Sequence, residues 1–342
     1  MKILVTGATG YIGSWVVKYL LEKDYHVIAT VRDKSATDKY KHLVDLANQL
    51  NGSIEIIEAN LLKEGAFNQA ANGADAIIHV ASPFKLKVSN AKAELIDPAL
   101  IGTRNVLNAA NASTTVKKVV LTSSVAAVNG DNIDLVEKGI QELTEEHFNT
   151  TSSAEHQPYS YSKLLAENEA WRIAKSQKQW ELVVINPSFV MGPTLANTSS
   201  SESIQFMKDM LKGKFSFGAP DLWFGFVDVR DVALAHILAL ENSTAKGRHI
   251  LAERSGNVLE LAQIISNLFP KKYKLPSKKA PKFLLMLFGG LFGVSSKFVK
   301  RNVGIPVKFN TSKSKNELGL NYRPLNETLA DMVHQMHEQG IV

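Results

Sequence analysis

The chain contains no cysteine among its 342 residues, which excludes disulfide bonds and thiolate chemistry and suits a reducing compartment. Its apolar run at residues 283–294 has twelve apolar or glycine residues, whereas a membrane-spanning helix needs about 20. The N-terminus enters an apolar segment directly, without the charged and then apolar leader of a secretory signal. We therefore expect a cytoplasmic protein without an integral membrane segment.

Acidic residues are absent between residues 271 and 301, a stretch that carries nine lysines and arginines. The net charge of the whole chain is +6, so the basic character is local and the remainder is net acidic. The apolar run at 283–294 lies inside this stretch and could meet a membrane surface or a partner. We favour a pocket-lining helix with a solvated basic flank. Nucleic-acid binding is disfavoured because no aromatic platform or known module accompanies the lysines.

Short apolar runs alternate with helical patterns through the first half of the chain. With 45% hydrophobic and 21% charged residues, the composition is ordinary for a globular protein of about two domains. The alternation predicts an α/β fold with a doubly wound parallel sheet and right-handed crossovers. The predicted strands are residues 2–6, 26–31, 53–59, 76–80, 118–123 and 182–186. The predicted helices between them are residues 14–23, 40–50, 67–71, 98–112 and 159–177.

A glycine turn separates the first predicted strand from the first predicted helix. Gly7 permits the tight turn, Gly10 lets the backbone approach a pyrophosphate, and Gly13 lets the helix pack closely on the strand. Phosphates would then lie against unpaired N–H groups at the positive end of the helix dipole. The order of strand, glycines and helix disfavours a chance glycine turn and predicts a dinucleotide site.

The pattern becomes irregular after residue 187, with a polar loop at residues 194–203. Further helices are predicted up to residue 211 and at residues 231–241, 258–268 and 326–339. We expect these parts to form a smaller, discontinuous substrate-binding domain. The predicted division assigns residues 1–187 and 226–250 to the dinucleotide-binding domain, and residues 188–225 and 251–342 to the substrate-binding domain.

Tyr159 and Lys163 are four residues apart, so they project from the same face of the predicted helix. An ammonium beside a phenol favours the phenolate and lowers a pKa that starts near ~10. Tyr159 is therefore a candidate proton donor that Lys163 tunes. Taken alone, such a pair is more often ordinary helix surface, and Tyr161 on the other side of the helix has no assigned role.

Hydroxyl side chains end the fifth predicted strand, at Thr122, Ser123 and Ser124. Ligands of open α/β sheets bind at the carboxyl ends of the strands. A hydroxyl at this position can hold a substrate carbonyl, although serines at a strand end also start turns.

Seven motifs follow one another along the first 240 residues. They are VTGATGYIG at 5–13, HVASPF at 79–84, GTRNVL at 102–107, LTSS at 121–124, the Tyr159 and Lys163 pair, NPSFVMGP at 186–193 and FVDVRDVA at 226–233. In this order they resemble an extended short-chain dehydrogenase/reductase, most of all the dihydroflavonol 4-reductase, cinnamoyl-CoA reductase and methylglyoxal reductase-like group. The resemblance implies a Rossmann fold and the reduction of a ketone or aldehyde to an alcohol.

The resemblance also implies roles for single residues. Tyr159 would protonate the carbonyl oxygen, Lys163 would bind the nicotinamide ribose and tune Tyr159, and Ser124 would hold the substrate oxygen, with Ser123 less favoured. Asn60 replaces an aspartate that is usual at the adenine contact, but its amide can still form hydrogen bonds. One serine of residues 199–203 could add a contact, and no residue is assigned to a metal. The implied cofactor-binding residues are Gly7, Thr9, Gly10, Tyr11, Ile12, Gly13, Arg32, Lys39, Asn60, Leu61, Val80, Ala81, Ser82, Tyr159, Lys163, Pro187 and Val190.

Cofactor choice follows from the end of the second predicted strand. An acid there would hold the ribose 2′-hydroxyl of NAD, but the strand ends in Arg32, whose guanidinium suits a 2′-phosphate. Lys39 adds positive charge, whereas the carboxylate of Asp33 favours NADH. We therefore expect NADPH (NADP+) as the cofactor. The alternative is that Arg32 is a solvated arginine after a strand and has no part in the choice of cofactor.

The substrate is expected to be a small carbonyl compound of apolar or aromatic character. Phe84 and Val125 are predicted to line its pocket together with Ser124 and Tyr159, although core packing explains apolar residues equally well. The first rival function is a nucleotide-sugar epimerase or dehydratase, which retains its nicotinamide without net oxidation. The second is a non-catalytic NAD(P)-sensing protein, which would not need the intact serine, tyrosine and lysine set. A monomer and a homodimer both stay open.

Overall fold

The computed structural model describes residues 1–82, 89–196, 201–292 and 294–342, which form alternating strands and helices followed by a mainly helical part. The strands are β1 (Lys2–Thr6), β2 (His26–Val31), β3 (Ser53–Glu58), β4 (Ala76–His79), β5 (Lys118–Thr122), β6 (Glu181–Pro187), β7 (Phe189–Met191), β8 (Trp223–Asp228), β9 (Gly247–Leu251) and β10 (Arg254–Asn257). The helices are α1 (Tyr11–Glu22), α2 (Lys41–Gln49), α3 (Asn68–Ala71), α4 (Asp97–Ala112), α5 (Ile133–Glu137), α6 (Pro158–Lys175), α7 (Glu202–Leu211), α8 (Val229–Glu241), α9 (Val258–Leu268), α10 (Lys282–Phe288), α11 (Ser296–Asn302), α12 (Ser312–Leu318) and α13 (Leu325–Glu338).

Seven strands form the main sheet in the order β3, β2, β1, β4, β5, β6 and β9, and every neighbouring pair is parallel. In this register Val5 of β1 lies between Ala29 of β2 and Ile78 of β4. The strand order reverses direction between β1 and β4, which is where doubly wound sheets open a crevice for ligands. The predicted fold class is confirmed, and the sheet places all its carboxyl ends at one edge.

Both faces of the sheet are covered by helices, because side chains alternate between the two faces of each strand. Ile3 and Val5 of β1 pack into one core with helices α1, α2 and α8. Leu4, between them in the sequence, packs into the other core with helices α3, α4 and α6. The near-continuous apolar runs that predicted the strands are therefore explained by burial on both faces.

The six predicted strands of the first half are all present, within one or two residues of their predicted ends. The seventh strand, β9, was not predicted from its sequence GRHIL, in which polar side chains interrupt the apolar pattern. Two of these polar side chains, Arg248 and His249, are buried nevertheless. Polar residues at buried positions interrupt the apolar run from which the other strands of this sheet were predicted.

A second sheet of three strands has the order β10, β8 and β7. Phe226 of β8 joins Met207 of α7, Leu261 of α9 and Met332 of α13 in a separate core. Strand β9 belongs to the main sheet, while β8 at residues 223–228 belongs to the second sheet. The predicted division into two domains stays a prediction.

Within the described ranges, no helix is long and apolar enough to cross a membrane.

Candidate active site

The glycine turn between β1 and α1 has the conformation that the sequence predicted. Gly7 has a φ of +68°, and a Cβ added to it would lie 2.7 Å from the amide nitrogen of Ala81. A Cβ on Gly13 would collide with the carbonyl of Gly7, so the start of α1 can lie this close to the strand end only with glycine there. Gly10 caps α1 without a side-chain hydrogen bond, and no acid lies in the first turn. The N–H groups of this turn are therefore available to an anion.

Helix α1 is fixed to the loop after β7 by two side chains of its first turns. The Tyr11 hydroxyl donates to the Gly192 carbonyl over 2.5 Å, and the Trp15 indole donates to the Pro193 carbonyl over 2.9 Å. Burial and the Asp228 charge raise the pKa of Tyr11, so its hydroxyl stays a donor. The Tyr11 side chain thus contacts the loop after β7, and the predicted contact of Tyr11 with the cofactor stays a prediction.

The strand ends β1 and β4 meet beside the glycine turn. Thr6 Oγ1 lies 2.6 Å from His79 Nδ1 and accepts from the Ala81 amide over 3.2 Å. Burial and the charge of Lys163 lower the pKa of His79 to about 3, so the imidazole is neutral. These bonds hold the segment of Val80, Ala81 and Ser82 against the glycine turn.

The residues expected around the adenine end lie at the ends of β2 and β3. Arg32 and Lys39 are both exposed. The Asp33 carboxylate accepts from the Ser35 amide and hydroxyl over 2.9 and 2.6 Å. Asp33 is therefore engaged by its own turn, while the two cations stay open to solvent.

Asn60 and Leu61 follow β3 at the same edge. Asn60 Oδ1 accepts from the Leu62 amide over 2.9 Å, and the Leu61 carbonyl accepts from Asn105 Nδ2 over 2.7 Å. The amide of Asn60 thus shapes its own turn through a bond that an aspartate could also make.

The two serines after β5 have different partners. The Ser123 hydroxyl donates to Glu167 Oε2 over 2.5 Å and is buried. The Ser124 hydroxyl is half-buried, accepts from the Ala126 amide and forms a side-chain hydrogen bond with Tyr159. The second serine therefore shares a polar contact with the candidate proton donor.

Tyr159 and Lys163 lie on the first two turns of α6, with Lys163 Nζ 5.9 Å from the centre of the tyrosine ring. Burial raises the pKa of Tyr159 to about 12, and the hydrogen bond with Ser124 offsets part of the rise. The expected lowering of this pKa is wrong for the chain as it stands, because burial disfavours the charged phenolate. The phenol consequently keeps its proton at neutral pH.

Lys163 is buried, which lowers the pKa of its ammonium to about 8, and the carboxylate of Glu167 opposes that shift. Glu167 is itself only 1% exposed and lies one helical turn beyond Lys163. Glu167 is not among the residues predicted from the sequence, although its spacing of four residues from Lys163 places it on the same face of the helix.

Glu167 has polar contacts with three other parts of the fold, at Ser123 after β5, Asn186 in β6 and Arg248 in β9. Asn186 of β6 donates to Oε2 over 2.8 Å and to the Ser124 carbonyl over 3.1 Å. Arg248 of β9 places Nε 2.6 Å from Oε1, without the alignment of a hydrogen bond, and stacks over the Phe148 ring at 4.1 Å. The carboxylate therefore ties α6, the two serines and β9 into one buried network.

A second network holds the chain just before α6. The buried carboxylate of Asp131 lies 2.9 Å from His156 Nε2 and accepts from Gln157 Nε2 over 2.7 Å. It also accepts from Arg301 and Asn302 of α11 over 2.5 and 2.7 Å. Gln157 has a left-handed φ of +57°, so these bonds fix a strained entry into the helix of Tyr159.

Some of the remaining predicted residues belong to the described part of the chain and others do not. Phe84 lies outside the described residues, as do residues 199 and 200 of the serine run. Val125 is partly buried against an apolar cluster that contains Leu143 and Ile250. Pro187 ends β6 and Val190 lies in β7, on the segment that leaves the main sheet. In this segment Asn186 Oδ1 and Ser188 Oγ are buried without a hydrogen-bond partner among the described residues.

Residues 3–252 match the model of the NAD dependent epimerase/dehydratase family. The chain belongs to this family. It is an extended short-chain dehydrogenase/reductase, as the seven motifs predicted. The chain is 39% identical to cinnamoyl-CoA reductase CAD2 of Medicago truncatula, over 98% of this chain and 96% of that protein.

Two solved structures extend the comparison. Gre2 of Candida albicans in complex with NADPH is 34% identical, with a TM-score of 0.79 and 99% of both chains covered. The methylglyoxal/isovaleraldehyde reductase Gre2 of yeast, complexed with NADPH, is 26% identical, with a TM-score of 0.77 and 100% of both chains covered. The predicted family and fold are therefore both confirmed.

Proposed function

We propose that the chain is an NADPH-dependent carbonyl reductase that converts a small ketone or aldehyde into an alcohol. The observation that carries this proposal is the contact of Ser124 with Tyr159 beside a buried Lys163. Tyr159 keeps its proton at neutral pH, as an acid for carbonyl reduction must. The named reductases among the relatives support the same reaction class.

Tyr159 donates its phenolic proton to the carbonyl oxygen of the substrate, and Ser124 holds that oxygen by a hydrogen bond. As the proton leaves, the charge of Lys163 stabilises the phenolate, while the single Ser124 O–H stays on the substrate oxygen. Glu167 keeps Lys163 charged, since its carboxylate opposes the effect of burial. When bound, NADPH supplies the hydride that adds to the carbonyl carbon.

The chain's own features fit a dinucleotide with a 2′-phosphate. The glycine turn offers unpaired N–H groups to a pyrophosphate, and a Cβ at Gly7 would fill the space against Ala81. Arg32 and Lys39 are open to solvent while Asp33 is engaged by Ser35. The two cations can therefore meet a 2′-phosphate. Hydrogen bonds from Ser35 and the charge of Lys39 lower the pKa of Asp33, so its carboxylate stays charged and offsets part of that attraction.

The nicotinamide end would be held by Lys163 and by the segment after β6. Asn186 Oδ1 and Ser188 Oγ are an acceptor and a hydroxyl that have no partner among the described residues. A carboxamide carries both a donor and an acceptor, so it suits this pair. Ser82 and Asn60 would contact the ribose and adenine at the other end.

The substrate we propose is apolar or aromatic, because Val125 lies in one apolar cluster with Trp223 of β8. Phe189 and Phe224 stack with their ring centres 5.4 Å apart. The Asn-Trp-Cys-Tyr signature of cinnamoyl-CoA reductases is absent, since the chain has no cysteine. We propose a cytoplasmic enzyme that works as a monomer or a homodimer.

The experiment that tests this function is NADPH consumption with a panel of aromatic ketones, diketones and aldehydes. A nucleotide sugar serves as the control substrate. Turnover of at least one carbonyl compound, with the cofactor leaving the enzyme after each cycle, supports the reductase. A cofactor that stays bound through purification, together with conversion of the nucleotide sugar and no net oxidation, would support the epimerase instead.

A further inference from the structure

The outward face of α10 has an unusual composition. Phe283, Leu284 and Leu287 are all exposed, with 61% of Phe283 and 72% of Leu287 open to solvent. Positions i, i+1 and i+4 lie within about 100° of one another around a helix, so these side chains form one stripe. Leu285 and Met286, on the other side, are partly buried. The helix therefore presents apolar side chains where a water-facing helix normally presents polar ones.

Phe217 lies on a neighbouring turn and is 91% exposed. The backbone of this turn pairs with the segment that leads into α10. The Ala219 amide donates to the Lys278 carbonyl over 2.9 Å, and the Ala280 amide donates to the Ala219 carbonyl over 2.7 Å. We call Phe217, Phe283, Leu284 and Leu287 the α10 apolar surface.

Lysines surround this surface and most of them have no acidic partner. Lys278, Lys297 and Lys300 are exposed and form no ion pair with the described part of the chain. Lys282 Nζ donates to the carbonyls of Lys300 and Val303 over 3.3 and 2.7 Å, which brings the start of α10 against the end of α11. The lysines of both helices therefore lie around the same apolar stripe.

Two basic residues of the stretch 271–301 form ion pairs with acidic residues, so they add no free positive charge around the α10 apolar surface. Lys279 pairs with Asp221 over 2.8 Å, and Arg301 pairs with Asp131 over 2.5 Å and with Asp134 over 2.9 Å. The Arg301 contacts also join α11 to the network that fixes the start of α6. The α10 apolar surface is thus part of the folded structure and is linked to the helix of Tyr159.

We propose that the α10 apolar surface and its lysines attach the protein to the surface of a membrane that contains anionic lipid. Aromatic and leucine side chains on a short stripe enter the boundary between headgroups and acyl chains, while flanking lysines meet anionic headgroups. A second copy of this chain is disfavoured as the occupant, because a two-fold contact would bring the lysines of both copies together. This inference does not depend on the proposed function.

The test is co-sedimentation of the full chain with vesicles of phosphatidylcholine alone or with about one third phosphatidylserine. One variant removes the apolar contacts, Phe283→Ser with Leu287→Ser. A second reverses the charge, Lys278→Glu with Lys297→Glu and Lys300→Glu. Matched controls are Leu62→Ser, another exposed leucine, and Lys175→Glu with Lys178→Glu at the end of α6.

We expect binding to the phosphatidylserine vesicles only. Each surface variant should weaken that binding about tenfold or more, while the controls bind like the wild type. Salt of about 0.5 M should release the protein, since the attraction is between exposed charges. The circular dichroism spectrum and the melting temperature of both surface variants should match those of the wild type, which shows that they fold.

Three results would overturn the proposal. One is the absence of binding to phosphatidylserine vesicles, which would leave an acidic protein partner as the occupant. Another is wild-type binding by both folded surface variants. The third is a dimer of the wild type that dissociates in the Phe283→Ser, Leu287→Ser variant, measured by analytical ultracentrifugation, because it would identify a second copy as the occupant.

Discussion

Replacing Glu167 with glutamine removes the buried negative charge one helical turn from Lys163. The Cβ atoms of residues at this helical spacing lie about 6 Å apart, and we take this value as the separation of the two charges. At an effective dielectric constant of about 20, their attraction is roughly 3 kcal/mol, equivalent to about 2 pKa units. The pKa of Lys163, about 8 in the wild type, should therefore fall towards ~6 in the variant.

The consequence is a shift in the pH dependence of the reaction. Because the charged form of Lys163 stabilises the Tyr159 phenolate, activity declines as the pH rises through the pKa of Lys163. At pH 7 the protonated fraction should fall from about nine tenths to about one tenth, so kcat/KM should fall about tenfold. Near pH 5.5 the difference between variant and wild type should largely disappear.

The assay is kcat/KM for carbonyl reduction measured across the pH range in which the protein stays folded. Glu167→Gln also leaves the buried guanidinium of Arg248 without its counter-charge, so we expect a stability loss of about 3–5 kcal/mol. The melting temperature of the variant is therefore measured first by circular dichroism, and the assay is run at a temperature at which the variant stays folded. Glu169→Gln is the matched control, because Glu169 lies on the same helix but pairs with Arg104 and Arg172.

The declining limb of the pH profile should move in Glu167→Gln and stay in place in Glu169→Gln. A folded Glu167→Gln protein whose limb stays near pH 8 would refute the reasoning. Loss of activity by the same factor at every pH would do so as well, since it would show a structural role without an effect on the charge of Lys163.

Two further predictions concern the hydroxyl and the cofactor. Ser124→Ala should lower kcat by about 10²-fold, because it removes a hydrogen bond to the reacting oxygen. The control Ser123→Ala removes a hydrogen bond to Glu167 and should mainly lower the melting temperature. Equal losses of kcat in the two variants would contradict the assignment of Ser124. Arg32→Ala should raise the KM for NADPH about tenfold or more and leave the KM for NADH nearly unchanged. The control is Lys41→Ala, because Lys41 pairs with Asp45. Equal effects of Arg32→Ala on both cofactors would contradict a role of Arg32 in binding the 2′-phosphate.

The parts of the fold that were predictable are the buried parallel strands and the glycine turn. Strands β1, β2, β4, β5 and β6 are apolar on both faces, so composition alone marks them. The edge strand β3 is marked by its alternating sequence SIEIIE, since it is only partly buried. Strand β9 was missed because it buries Arg248 and His249, and β7 has only three residues. A pattern of apolar residues cannot identify a strand whose buried side chains are polar.

The candidate site was predictable where its residues share one element. Tyr159 and Lys163 lie on one helix, so their spacing placed them on one face. Arg248 reaches Glu167 from a strand that follows α6 by many residues, and no local pattern indicates such a contact. The direction of the Tyr159 pKa shift also depends on burial. The spacing of residues along the sequence does not show how deeply a side chain is buried.

The most direct test of the account is Tyr159→Phe, which keeps the ring and removes the proton donor. NADPH affinity, measured by fluorescence titration, should stay within about twofold, whereas kcat for carbonyl reduction should fall by about 10²- to 10⁴-fold. A folded Tyr159→Phe protein that binds NADPH and reduces its substrate at a rate near that of the wild type would contradict the proposed mechanism.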